Sequence, residues 1–140
     1  DRSVSRGLGD VYKRQVSGYR SYERQEELYQ KKLREQPKEN GDPVHWIAPP
    51  GASEHQTGLA LDVSCQAVDY QLDERFGETR EGRWLKRCAP LYGFILRYPK
   101  GKEHITGYGW EPWHIRYVTR SLALYLTLTG LTLEEYYEQK

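Results

Sequence analysis

Apolar and polar positions alternate along this chain at two periods, and the changes between them mark its elements. Tyr22, Gln25, Leu28, Tyr29 and Leu33 recur at helical spacing and predict a helix to about Gln36, with these residues as its inner stripe. Ser21 can cap it, and Glu23 is favourable near its start. Residues 37–54 read as a Pro/Gly-rich loop, and Leu59–Val63 as a short, largely buried strand. Gly82 to Tyr92 is a second helix stopped by Gly93, and Phe94 to Tyr98 a strand. Lys100 to Gly109 is a polar, glycine-containing loop placed to rim a pocket. Trp113 to Val118 alternates, with His114 and Arg116 on one face and Trp113, Ile115 and Tyr117 on the other. Ser121 to Thr129 is a third helix ended by Gly130, and Thr132 opens a last helix with a capping box to Glu135.

Two short segments change the picture from architecture to chemistry. Ser53-Glu54-His55-Gln56-Thr57-Gly58-Leu59-Ala60-Leu61-Asp62 and Glu111-Pro112-Trp113-His114 together hold two histidines, an aspartate and a further glutamate. A catalytic zinc takes three protein ligands of this kind and keeps one position open. The remaining glutamate can then move protons. His55 and Asp62 are seven apart, which in a regular strand would place them on opposite faces. A turn or bulge at Gly58 would bring both to one ion. Pro112 argues against a helix at Glu111, so Glu111 ends a loop.

The pattern Ser53-x-His55-x-x-Gly58-x-Ala60-x-Asp62, followed by Glu111-Pro112-Trp113-His114, resembles the two motifs of the LAS zinc metallopeptidases. The strings Ser17-Gly18-Tyr19-Arg20-Ser21 and Gly93-Phe94-Ile95-Leu96-Arg97-Tyr98-Pro99 are similar to the VanY-type D-alanyl-D-alanine carboxypeptidase branch, and the similarity runs from about Val16 to Tyr137. The resemblance implies an α+β fold with a small central antiparallel sheet and flanking helices. It implies one zinc per chain on His55, Asp62 and His114, with Glu111 as catalytic base and Arg20 near the scissile carbonyl. It implies substrate contacts from Ser53 and Gln25. It further implies a peptidoglycan stem peptide as substrate, hydrolysed at its terminal D-alanine at the bacterial cell envelope. An L,D-carboxypeptidase, a D-Ala-D-Ala dipeptidase and an endopeptidase are alternatives on the same fold. A zinc-bearing cell-wall binding module without turnover is the alternative of another class.

Each residue also has a plainer reading. His55 and His114 can be hydrogen-bonded core histidines, Asp62 a capped buried carboxylate, Glu111 a surface residue, and Arg20 a partner of Glu23 or Glu27. The motif context favours the metal and catalytic roles. His45 and His104 are expected in exposed loops, and the four tryptophans in core or pocket walls. Cys65 and Cys88 can pair in an exported protein, but two free thiols are the expectation.

Charge narrows the partners. Lysine and arginine number 21 against 20 acidic residues, a net +1, so no strong field favours nucleic acid. Ser5 to Gln15 stands apart: its last six residues, Asp10 to Gln15, are the in-frame translation of GATGTGTATAAGAGACAG, a transposon-type sequencing adaptor. Residues 1–15 are therefore expected to be a non-native segment, and 16–140 an N-terminally truncated domain. Any membrane anchor would belong to the missing start, and a monomer is expected. Without residues 1–15 the chain loses three arginines and one lysine against two aspartates and becomes slightly negative. About 125 residues suffice for one domain with a real core. Val16 can begin a strand leading into Ser17–Arg20.

Overall fold

A computed structural model of the chain describes residues 14–35 and 47–139. Asp1–Lys13, His45, Trp46 and most of the predicted loop lie outside them. The fold is α+β. Four short strands, β1 (Arg14–Ser17), β2 (Ala60–Ser64), β3 (Phe94–Leu96) and β4 (His114–Tyr117), form one antiparallel sheet in the order β1-β2-β4-β3. Around it lie α1 (Tyr22–Glu35), α2 (Arg80–Cys88), the single-turn α3 (Glu103–Thr106), α4 (Arg120–Thr129) and α5 (Leu133–Glu138).

The two sides of the sheet differ because alternate side chains face opposite ways. Ile115, with Leu61, Val63, Phe94, Leu96 and Trp113, joins Cys65, Val68, Phe76, Leu85 and Ala89 in one core. This side carries α2 and the 3-10 turn Glu74–Glu78 before it. Gly82 lets them close up: a Cβ there would stand 2.0 Å from the Phe76 carbonyl oxygen. On the other side Ile95 packs with Ala123, Leu126 and Leu133 of α4 and α5. The same side presents Asp62 and His114, which are direct partners in the β2–β4 register. The two motifs thus meet across two central strands.

The helix stops follow the local signals. Gly93 at φ 88° and Gly130 at φ 72° end their helices in the left-handed region, where glycine carries no Cβ penalty. The Thr132–Glu135 capping box is complete. Several expectations need correction. The Lys100–Gly109 loop contains α3, bracketed by Gly101 and Gly107 at positive φ. The strand predicted to Tyr98 ends at Leu96, and beyond it single bonds from Arg97 N–H to the His114 carbonyl and from Glu111 N–H to the Tyr98 carbonyl replace the ladder. Tyr22 is half exposed near Gly51 rather than inside the α1 stripe, whose buried member is Gln25. The second helix is α2 followed by a 3-10 turn, Ala89–Tyr92, with Pro90 at the junction. Cys65 and Cys88 are both free, as expected, with Cys65 buried and Cys88 only half-buried. The first strand begins at Arg14, two residues before the expected domain boundary, with Arg14 opposite Ser64 and Gln15 opposite Val63.

Candidate active site

The first motif folds as a 3-10 turn, Glu54–Thr57, closed by Gly58 at φ 72°. That turn settles the odd spacing: His55 is not in the strand at all, and the chain swings round Gly58 into β2. Asp62, in the middle of β2, has Ser17 opposite it on β1 and His114 opposite it on β4. An irregularity between Gln15 and Ser17 sets the first of these pairings.

His55, Asp62 and His114 are all buried, and one ligand atom from each lies within 4.8 Å of the others. His55 Nε2 is 3.1 Å from Asp62 Oδ2, and His114 Nδ1 is 3.0 Å from Asp62 Oδ1. The other nitrogen of each ring is occupied. His55 Nδ1 sits 2.7 Å from the Gly18 carbonyl, which fixes its proton there and leaves Nε2 facing the centre. His114 Nε2 faces Glu54 Oε2 at 3.4 Å. Two imidazoles and a carboxylate with their outer nitrogens anchored fit a zinc ion with an open position.

The electrostatics are those of a tightly coupled charged cluster. Burial works against the charge of Asp62, but hydrogen bonds from His114 and His55 outweigh it and hold its pKa at about 2. Burial raises Glu111 to about 7, with Asp62 and Glu54 pushing the same way against His114. Burial lowers His114, but Asp62 and Glu54 overcome it and lift the imidazole to about 9. In the metal-free protein this is a cation held among carboxylates, the place a metal ion would take.

The remaining candidates line the same cleft, a cavity of about 670 Å³, within the size range of small-ligand sites. Glu111 lies with its Oε2 3.9 Å from His114 Nδ1. Arg20 donates to Gln25 Oε1 at 2.7 Å and to Ser17 Oγ at 3.0 Å, and its backbone N–H reaches the His55 carbonyl. Gln25 is fully buried, and its Nε2 donates to the Ala48 carbonyl at 2.6 Å. Both ends of this amide are therefore engaged, and its evident work is to hold Arg20 to the wall. Ser53 is buried at the start of the 3-10 turn. His104 is exposed and apart from the site.

Sequence reasoning passed over Glu54, Arg97 and Tyr98. Tyr98 packs against the His114 ring with centroids 5.1 Å apart and stacks on Tyr108 at 4.6 Å. Glu54 Oε1 accepts from Arg97 Nε at 2.8 Å, and Arg97 forks onto Glu134 of α5. Both Glu54 and Arg97 stand inside the motif strings, but nothing in a string says which residue backs a ligand.

The family model described as VanY, D-alanyl-D-alanine carboxypeptidase, matches residues 8–120. A Bacillus subtilis (strain 168) protein provisionally named carboxypeptidase YodJ is 47% identical over 124 residues, 89% of this chain and 45% of that protein. The solved LdcB LD-carboxypeptidase superposes with a TM-score of 0.83 at 45% identity, over 92% of this chain and 59% of its own. A vancomycin-resistance D,D-pentapeptidase VanY mutant in complex with Zn(II) superposes with a TM-score of 0.73 at 37% identity, over 91% and 72%. The chain thus spans less than half of the Bacillus relative and under two thirds of LdcB. A family match over most of the chain, joined to the His–Asp–His centre with its glutamate, makes this chain a member of the VanY D-alanyl-D-alanine carboxypeptidase family.

Proposed function

We propose that this chain is a zinc-dependent carboxypeptidase that releases the C-terminal D-alanine from peptidoglycan stem peptides, with one zinc on His55, Asp62 and His114. The observation that carries the reading is Glu111: a half-buried carboxyl in the cleft beside the His55–Asp62–His114 cluster, its Oε2 3.9 Å from His114 Nδ1, close enough to take a proton from a water held there. A zinc ion at the centre supplies Lewis acidity toward water and the scissile carbonyl. Glu111 takes the proton of the attacking water and later gives it to the leaving amine. Arg20, held by Gln25 and Ser17, presents a fixed positive charge to the developing oxyanion. Ser53 turns a polar group toward the substrate's terminal carboxylate. Such a substrate places the working protein at the cell envelope. Together, Glu111 and Arg20 argue against a binding module without turnover.

A second reading has a specific observation behind it. Identity is higher to the LD-carboxypeptidase, 45%, than to the D,D-pentapeptidase, 37%. On that reading the scissile D-alanine follows another centre in a tetrapeptide stem, and the same residues act. The test is release of free D-alanine from pentapeptide and tetrapeptide stems, their C-terminal amides and free D-Ala-D-Ala, with and without chelator. Chelator-sensitive release from the pentapeptide supports the D,D activity, and release from the tetrapeptide alone supports the L,D one. Equal rates on the amides would exclude a carboxypeptidase, because a pocket built for a carboxylate loses much of its binding to an amide.

A further inference from the structure

His114 can offer Nδ1 to a metal only in the tautomer that carries its proton on Nε2. Nδ1 is the nitrogen that faces Asp62 at 3.0 Å and Glu111 at 3.9 Å. Nε2 points the other way, to Glu54 Oε2 at 3.4 Å. Glu54 is itself held from behind. Its Oε1 accepts from Arg97 Nε at 2.8 Å and lies 3.4 Å from Arg116 Nη1. Arg97 in turn places Nη1 and Nη2 on the two oxygens of Glu134, at 3.0 and 2.5 Å. The side chains of Glu54 and Arg97 are 15% and 11% exposed and that of Glu134 is 28% exposed, so water competes little for these bonds. Glu134 belongs to α5, beyond the segment 8–120 that matches the family model.

We infer that Glu54 is a positioning residue that holds His114 in its Nδ1-ligating tautomer, and that α5 takes part in the metal centre through Glu134 and Arg97. The chain His114–Glu54–Arg97–Glu134 crosses from the central strand to the C-terminal helix without a break. A fork of two parallel bonds fixes the angle of the Arg97 plane, and the plane fixes the Glu54 carboxylate. A carboxylate so fixed has one oxygen left for the imidazole N–H. Removal of such a partner typically weakens a metal site about 10- to 100-fold.

This inference rests on His114 being a metal ligand, but not on turnover, so its test reads metal and tautomer. Zinc affinity is measured by chelator competition for the wild-type protein, Glu54→Gln and Glu134→Gln, and the His114 tautomer by nitrogen NMR of the metal-free and zinc forms. The expected result is an Nε2-protonated His114 in the zinc form. Affinity should fall about 10- to 100-fold in Glu54→Gln and by a smaller factor in Glu134→Gln. Glu134→Gln lies far enough out to fold if Glu54→Gln does not. A metal-free melting temperature lowered in both variants, with zinc affinity unchanged, would mean a purely structural ion-pair network and overturn the inference. A wild-type protein that binds no zinc would overturn the ligand assignment as well, and the proposed function with it.

Discussion

At the scale of single residues, the cleft holds carboxylates shifted in opposite directions. Asp62 and Glu54 are both held at about 2, Asp62 by two imidazoles and Glu54, against its burial, by His114 and Arg97. Glu111 has no arginine against it among the described contacts, and burial lifts it to about 7. Glutamine at 111 keeps the shape and cannot take a proton. Glu111→Gln should therefore retain zinc and lose about 100- to 10,000-fold in turnover. Metal analysis beside a D-alanine release assay checks both halves, and wild-type turnover would remove Glu111 from the mechanism. If Arg20 acts as proposed, on a carbonyl that becomes negative only in the transition state, Arg20→Ala should lower kcat more than it raises KM. Steady-state kinetics on one stem peptide decides this.

At the scale of elements, β1 carries a consequence for the N-terminus. The adaptor-like string runs to Gln15, yet Arg14 and Gln15 pair with Ser64 and Val63 on β2. Whatever their origin, these two residues extend the edge of the sheet next to Asp62. Deletion of residues 1–13 should leave melting temperature and zinc content unchanged. Deletion of residues 1–15 should lower the melting temperature by a few degrees, because two residues of edge pairing are lost. Thermal melts of the two truncations check it, and a fall with the shorter cut would mean that Asp1–Lys13 packs on the domain. Inside the molecule, Gly82 sets how closely α2 meets the turn that carries Phe76. Gly82→Ala should destabilise by about 1–3 kcal/mol, an overpacking cost with no effect on metal affinity.

At the scale of the whole molecule, the cluster around His55, Asp62 and His114 makes stability depend on pH in a way that zinc, if bound there, should reverse. Glu54 and Asp62 titrate at about 2 folded against 4.5 and 3.8 as ordinary carboxyls. Their contribution is full above about pH 4.5 and lost as pH falls toward 2. Glu111 is raised from 4.5 to about 7, so its contribution declines as pH rises across that interval. His114 is raised from 6.5 to about 9, and its contribution is present below 6.5 and lost as pH climbs to 9. The metal-free protein should melt highest near pH 5 and progressively lower toward pH 9. Zinc must displace those protons, so it should raise the melting temperature more at pH 8 than at pH 5. Calorimetric scans with and without zinc across pH 4–9 read this directly, and a zinc increment that does not grow with pH would count against the cluster.

The sequence by itself determined the parts whose causes are local. Helix starts and stops at Ser21, Gly93, Gly130 and Thr132 could be read because a cap or a left-handed glycine acts within one turn of chain. The donor set could be read because two imidazoles, a carboxylate and a spare glutamate are a chemistry before they are a geometry. Only the tertiary structure decided the rest. Asp62 and His114, 52 residues apart, face one another through the register of β2 and β4, and no local period records a register between distant strands. The engagement of Gln25 with Arg20, the pairing of Arg97 with Glu54 and the contact of His114 with Glu54 have the same origin. Each depends on which polar atom meets which in a space that excludes water, and that pairing exists only once the strands and helices have closed around it.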